Sequence, residues 1–149
     1  TIDELRISCL HPYPDYEWKS ANDSSLVLKV NYHNFTGLFT GDLEEAGEKE
    51  IINKLSHVNY LKVAHHGSKG ASSEAFLEQV KPDVSVISCG KKNRYGHPHK
   101  ETLKRLENIG SKVYRTDKEG AVSIEYQNGK WYLSLWKKES GKKRLLSDW

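Results

Sequence analysis

Residues 36–68 read TGLFTGDLEEAGEKEIINKLSHVNYLKVAHHGS, and the order of patterns inside this stretch decides the fold. An apolar strand pattern, 36–41, delivers Asp42; a segment of helical composition follows over 43–55; a second apolar run, 60–64, then ends at His65-His66-Gly67-Ser68. The acids of the helical segment come early and Lys49 and Lys54 come late, as the helix dipole prefers, with Gly47 its one weak point.

Working outward, the same alternation continues. Residues 73–80 form a second amphipathic helix with Pro82 beyond its end, 84–88 an apolar strand, and Leu103, Leu106 and Ile109 one face of a third helix that Gly110 ends. Strands are expected at 113–115, 121–126 and 131–136, the last two joined through Gln127-Asn128-Gly129, where Asn-Gly favours a hairpin. Upstream, 5–10 reads as a strand stopped by His11-Pro12, 13–24 as a loop, and 25–32 as the hairpin partner of 36–41 across His33-Asn34. The class is therefore α/β, a layered sheet with helices packed on it, occupying 6–136, followed by a charged, frayed tail over 137–149.

Composition limits the rest. A chain of 149 residues suits one domain. No apolar run approaches the roughly 20 residues of a spanning helix, and no leader pattern opens the chain, so it reads as soluble as it stands; a start at Thr1 and the absence of methionine fit a piece of a longer protein. Cys9 and Cys89 each end an apolar run, which suits buried free thiols, with a disulfide as the alternative; the Cys-x-x-Cys spacing of zinc and redox sites does not occur. The formal charge of +3 is matched by the tail alone, where five basic side chains face Glu139 and Asp148. Inside the body, residues 1–60 hold 10 acids and 5 bases, whereas 61–105 hold 4 acids and 9 bases. That basic segment is either a solvated face or a surface for an anionic substrate.

In α/β sheets ligands gather at the carboxyl ends of strands. Here three such ends carry polar residues: Asp42, the pair His65 and His66, and a loop with Asn93, Arg94 and His97. Asp42 alone is also consistent with capping a helix that begins at Leu43. Two imidazoles at the mouth of an apolar strand are harder to explain by packing, and neutral imidazole is a common metal ligand. Gly67 frees the backbone to turn, and Ser72-Ser73 open a helix whose amides could hold a phosphate oxygen. His97-Pro98 lies among Lys91, Lys92 and Arg94, which suits phosphate contact or, alternatively, a structural role.

Phe39-Thr40-Gly41-Asp42 followed by Leu61-Lys62-Val63-Ala64-His65-His66-Gly67-Ser68 resembles the fourth and fifth metal motifs of the metallo-β-lactamase superfamily. More narrowly, the chain is similar to the C-terminal hydrolase domain of ComEC-type competence proteins, through its Asn-x-x-Ser-Leu-Val-Leu segment from Asn22 to Leu28, Pro82, Asn93-Arg94-Tyr95-Gly96-His97-Pro98, and Tyr114-Arg115-Thr116-Asp117 with Gly120. The resemblance covers residues 6–124. It implies a four-layer αββα sandwich holding two divalent ions, zinc or manganese. In that scheme Asp42 bridges the ions, His66 completes the second ion's shell, and His65, the other metal candidate, bonds substrate or orients the site. Asp42, His65 and His97 would be the catalytic group, with Ser68, Ser72, Asn93, Arg94 and His97 facing substrate.

The His-x-His-x-Asp-His motif of that family does not occur in this sequence, and His11 is the nearest thing to a further isolated ligand. The expectation is thus half of, or a truncated, metallo-β-lactamase sandwich, its metal site incomplete and its hydrolase activity nearly absent in isolation. The longer parent would be a bacterial membrane protein with a membrane-spanning competence segment, this domain lying on the extracytoplasmic side, cutting DNA held by its phosphates. The uncovered sheet face could also be met by a homodimer. The rival readings are a secreted or surface phosphoesterase of the same fold acting on a small phosphoester or phosphocholine, and an inactive nucleic-acid-binding module.

Overall fold

A computed structural model describes residues 4–17, 19–136 and 143–146. Its first sheet has six strands in the order β1 (Arg6–His11), β2 (Val27–Tyr32), β3 (Phe35–Phe39), β4 (Tyr60–Lys62), β5 (Val84–Ile87) and β6 (Lys112–Arg115). The first three strands form an antiparallel meander; β3 to β6 run parallel, each step crossing over through a helix, α1 (Glu45–Ile51), α2 (Glu74–Val80) and α3 (Lys100–Asn108). This mixed α/β sheet is the class the sequence patterns indicate.

Strand pleating divides the side chains cleanly. Leu38 pairs with Leu61 across β3 and β4, and both point to the helices, where Ile51, Phe76, Leu77, Val80 and Leu106 meet them in the main core. Each of those apolar side chains is fully buried, which stabilises by about 1.5–3 kcal/mol apiece before entropy is counted. Tyr60, Val84 and Val86 point to the opposite face, where a second cluster forms with Leu133 and Leu135. Those two leucines come from a second sheet, β7 (Val122–Gln127), β8 (Lys130–Leu135) and β9 (Lys143–Leu145). A short helix, α4 (Thr116–Glu119), leads from β6 into it. The layers are helices, six-stranded sheet and three-stranded sheet. Between the sheets an apolar cleft of about 410 Å³ stays open, walled by Val30, Phe39, Tyr60, Ile124 and Trp131 among others.

Several expectations change. The tail read as frayed contributes β9, whose Leu145 pairs with Tyr132, and Leu146 donates its amide to Trp131 O at 2.8 Å and joins the second cluster. An unpaired β8 edge with two leucines within reach favours that pairing over solvation; residues 137–142 and 147–149 lie outside the described set. The two cysteines are free, but neither is buried: Cys9 is exposed on edge strand β1 and Cys89 is half-buried. The helix expected over 43–55 is α1 alone, continued by a 3-10 turn, Ile52–Lys54. Leu43 turns inward before it, and a Cβ at Gly47 would run into the Leu43 side chain, so the glycine is what lets α1 close over Leu43.

Glu48, on the inner side of α1, is 1% exposed and accepts the amides of Ser72 and of Ser73, the latter at 2.9 Å. It ties α1 to the start of α2. Burial pushes its carboxyl above the ordinary 4.5, against the pull of the Ser73 and Ser72 hydrogen bonds. A carboxyl raised in this way holds its proton more tightly folded than unfolded. Its contribution to stability therefore falls as pH rises from about its unfolded value through its native one, and is level beyond. Measured by urea denaturation at a series of pH values, the stability of the chain relative to Glu48→Gln, which does not titrate, is expected to fall over that window. Glu48→Ala leaves buried amides unpaired and should cost about 1–3 kcal/mol at any pH.

Candidate metal and phosphate site

Because β3, β4 and β5 are parallel neighbours, the residues that follow them emerge side by side at one edge of the sheet. β3 ends at Phe39, and Asp42 follows after Thr40 and Gly41, its backbone amide donating to Ser25 Oγ at 3.1 Å. Asp42 does not cap α1, which starts three residues later with Glu44 at the cap position and no side-chain cap bond. The helix-cap alternative for Asp42 therefore falls away, and its carboxylate is left to face His66, whose Nε2 stands 3.8 Å from Oδ1.

The histidine pair sits on a strained corner. His65 (φ 45°, ψ 44°) and His66 (φ 54°, ψ 22°) are both left-handed, a conformation costing about 1–3 kcal/mol each for residues with a Cβ. His65 N–H donates to Gly41 O at 3.0 Å, which joins the corner after β4 to the one after β3. The two rings are tied differently. His66 Nδ1 lies 2.7 Å from Ser88 O, and a carbonyl only accepts, so Nδ1 carries a proton, and in the neutral ring the Nε2 lone pair faces Asp42. His65 Nδ1 lies 3.1 Å from Glu44 Oε1, which also accepts from Asn22 Nδ2 at 3.3 Å.

His97 completes the group, its ring centroid 5.6 Å from that of His65 and 6.4 Å from that of His66. Burial, and then the imidazoles of His99, His65 and His66, hold its pKa below the ordinary 6.5, so it is neutral at pH 7. His66, Cys89, Gly90, Asn93, Tyr95 and His97 wall a cavity of about 200 Å³ beside the pair.

Of the substrate-facing residues expected from sequence, the structure brings His97 and Arg94 to this edge. Arg94 is exposed, with its guanidinium 4.8 Å from the centre of the Tyr95 ring. Asn93 is there too, but its amide is committed to the loop, accepting from His97 N at 2.9 Å and donating to Gly90 O at 3.0 Å. Ser68 is half-buried; its hydroxyl accepts from Gly70 N at 3.3 Å and its carbonyl from Thr102 Oγ1 at 2.9 Å. Ser72 is a correction: it is fully buried, and the amides expected to hold a phosphate oxygen already hold the Glu48 carboxylate. His11 is buried as well, bonded through Nδ1 to Ser25 O at 3.0 Å, with Nε2 unpartnered.

Glu44, Asn22, Ser25 and Ser88 also border the candidate site, a place the sequence patterns did not assign to them. Glu44 looks like any acid before a helix, and Ser88 acts only through its backbone. Asn22 and Ser25 had a signal, since both lie in the Asn-x-x-Ser-Leu-Val-Leu segment, which holds the Asp42 amide and the Glu44 carboxylate.

Among the described residues no three histidine, cysteine, aspartate or glutamate side chains converge as ligands of one ion. The Asp42–His66 pair nevertheless fits one edge of a coordination shell. Ligands on a tetrahedral ion with bonds of about 2.0–2.1 Å stand roughly 3.3 Å apart, so 3.8 Å is a small side-chain shift away. A histidine whose other nitrogen donates to a backbone carbonyl is the usual arrangement at such ions.

A comparison with models of protein families gives no match. Among curated proteins, the chain is 43% identical over 130 residues to ComE operon protein 3 of Bacillus subtilis, covering 85% of this chain and 16% of that protein. It is 36% identical over 108 residues to Recombination protein 2 of Haemophilus influenzae and 37% over 111 residues to Competence protein ComA of Neisseria gonorrhoeae, covering 72% of this chain in both cases and 14% and 16% of those proteins. The chain belongs to the ComEC-type competence family. It spans about a sixth of the length of these relatives.

Gly67 (φ +82°) holds the corner against the 93–98 loop so closely that a Cβ there would stand 2.5 Å from Pro98 Cβ. Gly67→Ala is expected to destabilise the chain by about 1–3 kcal/mol and to loosen the loop. Faster hydrogen exchange at the His99 amide, which donates to Gly67 O at 3.0 Å, is the measurement; an unchanged rate would show that the loop does not depend on this contact.

Proposed function

We propose that this chain is part of a metallo-β-lactamase-type hydrolase domain that cleaves phosphodiester bonds of DNA in competence-related uptake. The observation that carries the reading is the Asp42–His66 pair at adjacent parallel strand ends, with His66 Nδ1 tied back to Ser88 O and Nε2 left toward Asp42. Zinc or manganese bound there would polarise a phosphoryl oxygen and acidify water. Asp42 and His66 supply two donors to such an ion, and the remaining ones come from outside the described residues. His65, oriented by Glu44, is placed to hydrogen-bond substrate, and neutral His97 lines the approach.

Two further features support the reading. On the sheet face toward the cleft, Phe39 is 39% exposed and Ile7, paired with Val30, is 59% exposed, as expected if another half of an αββα sandwich packs there. Exposed Lys69, Lys91, Lys92 and Arg94 lie on the loops that carry the site, and suit the phosphate backbone. Among the described residues no helix is long and apolar enough to cross a membrane; in this reading the membrane-spanning segment belongs to the rest of the parent, with this domain on the extracytoplasmic side.

The chain alone should be nearly inactive on DNA and on a chromogenic phosphodiester with added manganese or zinc. A longer parent chain that includes the missing ligands should be active, and lose at least about 100-fold in rate on Asp42→Ala or His66→Ala, by analogy with losing a group that stabilises transition-state charge. An active parent indifferent to both substitutions would refute the assignment. A parent that binds DNA but hydrolyses neither substrate would favour the inactive binding module.

DNA binding by the chain without metal should weaken with salt, by about 0.9 in the slope of log affinity against log salt per phosphate contact on duplex DNA. Replacing Lys69, Lys91, Lys92 and Arg94 together by glutamine should flatten that slope, whereas deletion of 137–149 measures the tail's own share. Affinity that is constant between low and moderate salt would remove the basic loops from the reading.

A further inference from the structure

The Tyr114-Arg115-Thr116-Asp117 motif makes its side-chain bonds around Cys89, one residue past the Ser88 carbonyl that holds His66. Thr116 Oγ1 accepts the amide of Cys89 at 2.9 Å and donates to Cys89 O at 3.0 Å. The Cys89 N–H and the Ser88 C=O are two ends of one peptide plane. One end is therefore held by the Thr116 hydroxyl, while the other accepts Nδ1–H of His66 at 2.7 Å. Asp117 secures the same residue through its side chain: Cys89 Sγ donates to Oδ1 at 3.3 Å, and Arg115 grips both carboxylate oxygens at 3.0 and 2.7 Å.

We propose that Thr116 is a positioning residue for His66: by fixing the Ser88–Cys89 peptide plane it sets the imidazole in its Nδ1–H form and presents Nε2 to Asp42. The chain of bonds runs from His66 Nδ1–H to Ser88 O, and from Cys89 N–H to Thr116 Oγ1, so each donor polarises the next through the peptide. The path joins the end of β4 to the end of β6, from position 66 to position 116. It rests on the reading that His66 works through Nε2, but it concerns the ring's proton and can be tested without metal or DNA.

The test is nitrogen NMR of the imidazoles in the 149-residue chain at pH 8, where ordinary histidines are neutral. His66 should show the Nδ1–H form, and the Cys89 amide should be protected from exchange; failure of either in the unaltered chain overturns the proposal with no variant needed. Thr116→Val keeps the side chain's shape and removes both hydroxyl bonds. In it the Nε2–H form of His66 should become the major one, while Thr116→Ser should restore the Nδ1–H form. An unchanged His66 spectrum in a folded Thr116→Val chain overturns the proposal. His65, held by Glu44 instead, should keep its tautomer in both variants, which separates a specific effect from general loosening. Because the tautomer is read without turnover, the result is independent of the hydrolase reading, which stands or falls on Asp42→Ala and His66→Ala in the active parent.

Discussion

Crossovers between parallel strands are almost always right-handed, and this one constraint arranges nearly everything else in the molecule. Stepping in a single direction from β3 to β6 with a fixed hand puts α1, α2 and α3 on the same face of the sheet, where their apolar sides meet Leu38, Leu61 and Ile87 in the main core. The opposite face is thereby left for a second sheet, and β8 takes part of it through Leu133 and Leu135. The same parallel run lines up three strand ends at one edge. The candidate site lies there because loops from neighbouring strands face each other at that edge.

There the backbone does as much as the side chains. The two histidines of the pair differ in what holds them, a carboxylate for His65 and a carbonyl for His66. A carboxylate partner can follow a change of charge on its ring, whereas a carbonyl fixes a tautomer and adds no charge. This division suits a pair in which one ring handles substrate or protons and the other presents a steady lone pair. The uneven charge along the chain fits the same plan: the acidic segment supplies Asp42 and Glu44, and the basic one supplies the loops around them.

Much of this is legible in the sequence because it is local. Period-two and helical patterns locate all the strands of the main sheet and its three helices to within a few residues, and strand ends name Asp42, His65, His66 and His97. What cannot be read there depends on partners distant in sequence. Glu48 and Glu44 both look like acids serving a helix dipole, yet one binds the Ser72 and Ser73 amides and the other His65. Ser72 looks available for phosphate because nothing local shows that Glu48 already fills its amide. Gly47 looks like a flaw in a helix until Leu43 is found beneath it. The tail hides β9 because charge outweighs its two leucines in the pattern.

The left-handed conformations of His65 and His66 carry a consequence for how such chains drift. Both rings are partly solvent-exposed, and glycine would adopt the same backbone without strain. Histidine at both positions therefore carries a backbone cost that glycine would avoid. In a chain that no longer needs the His65–Glu44 and His66–Ser88 hydrogen bonds, glycine or asparagine would relieve that strain, so the corner should be among the first places to change while the core and its helices stay intact.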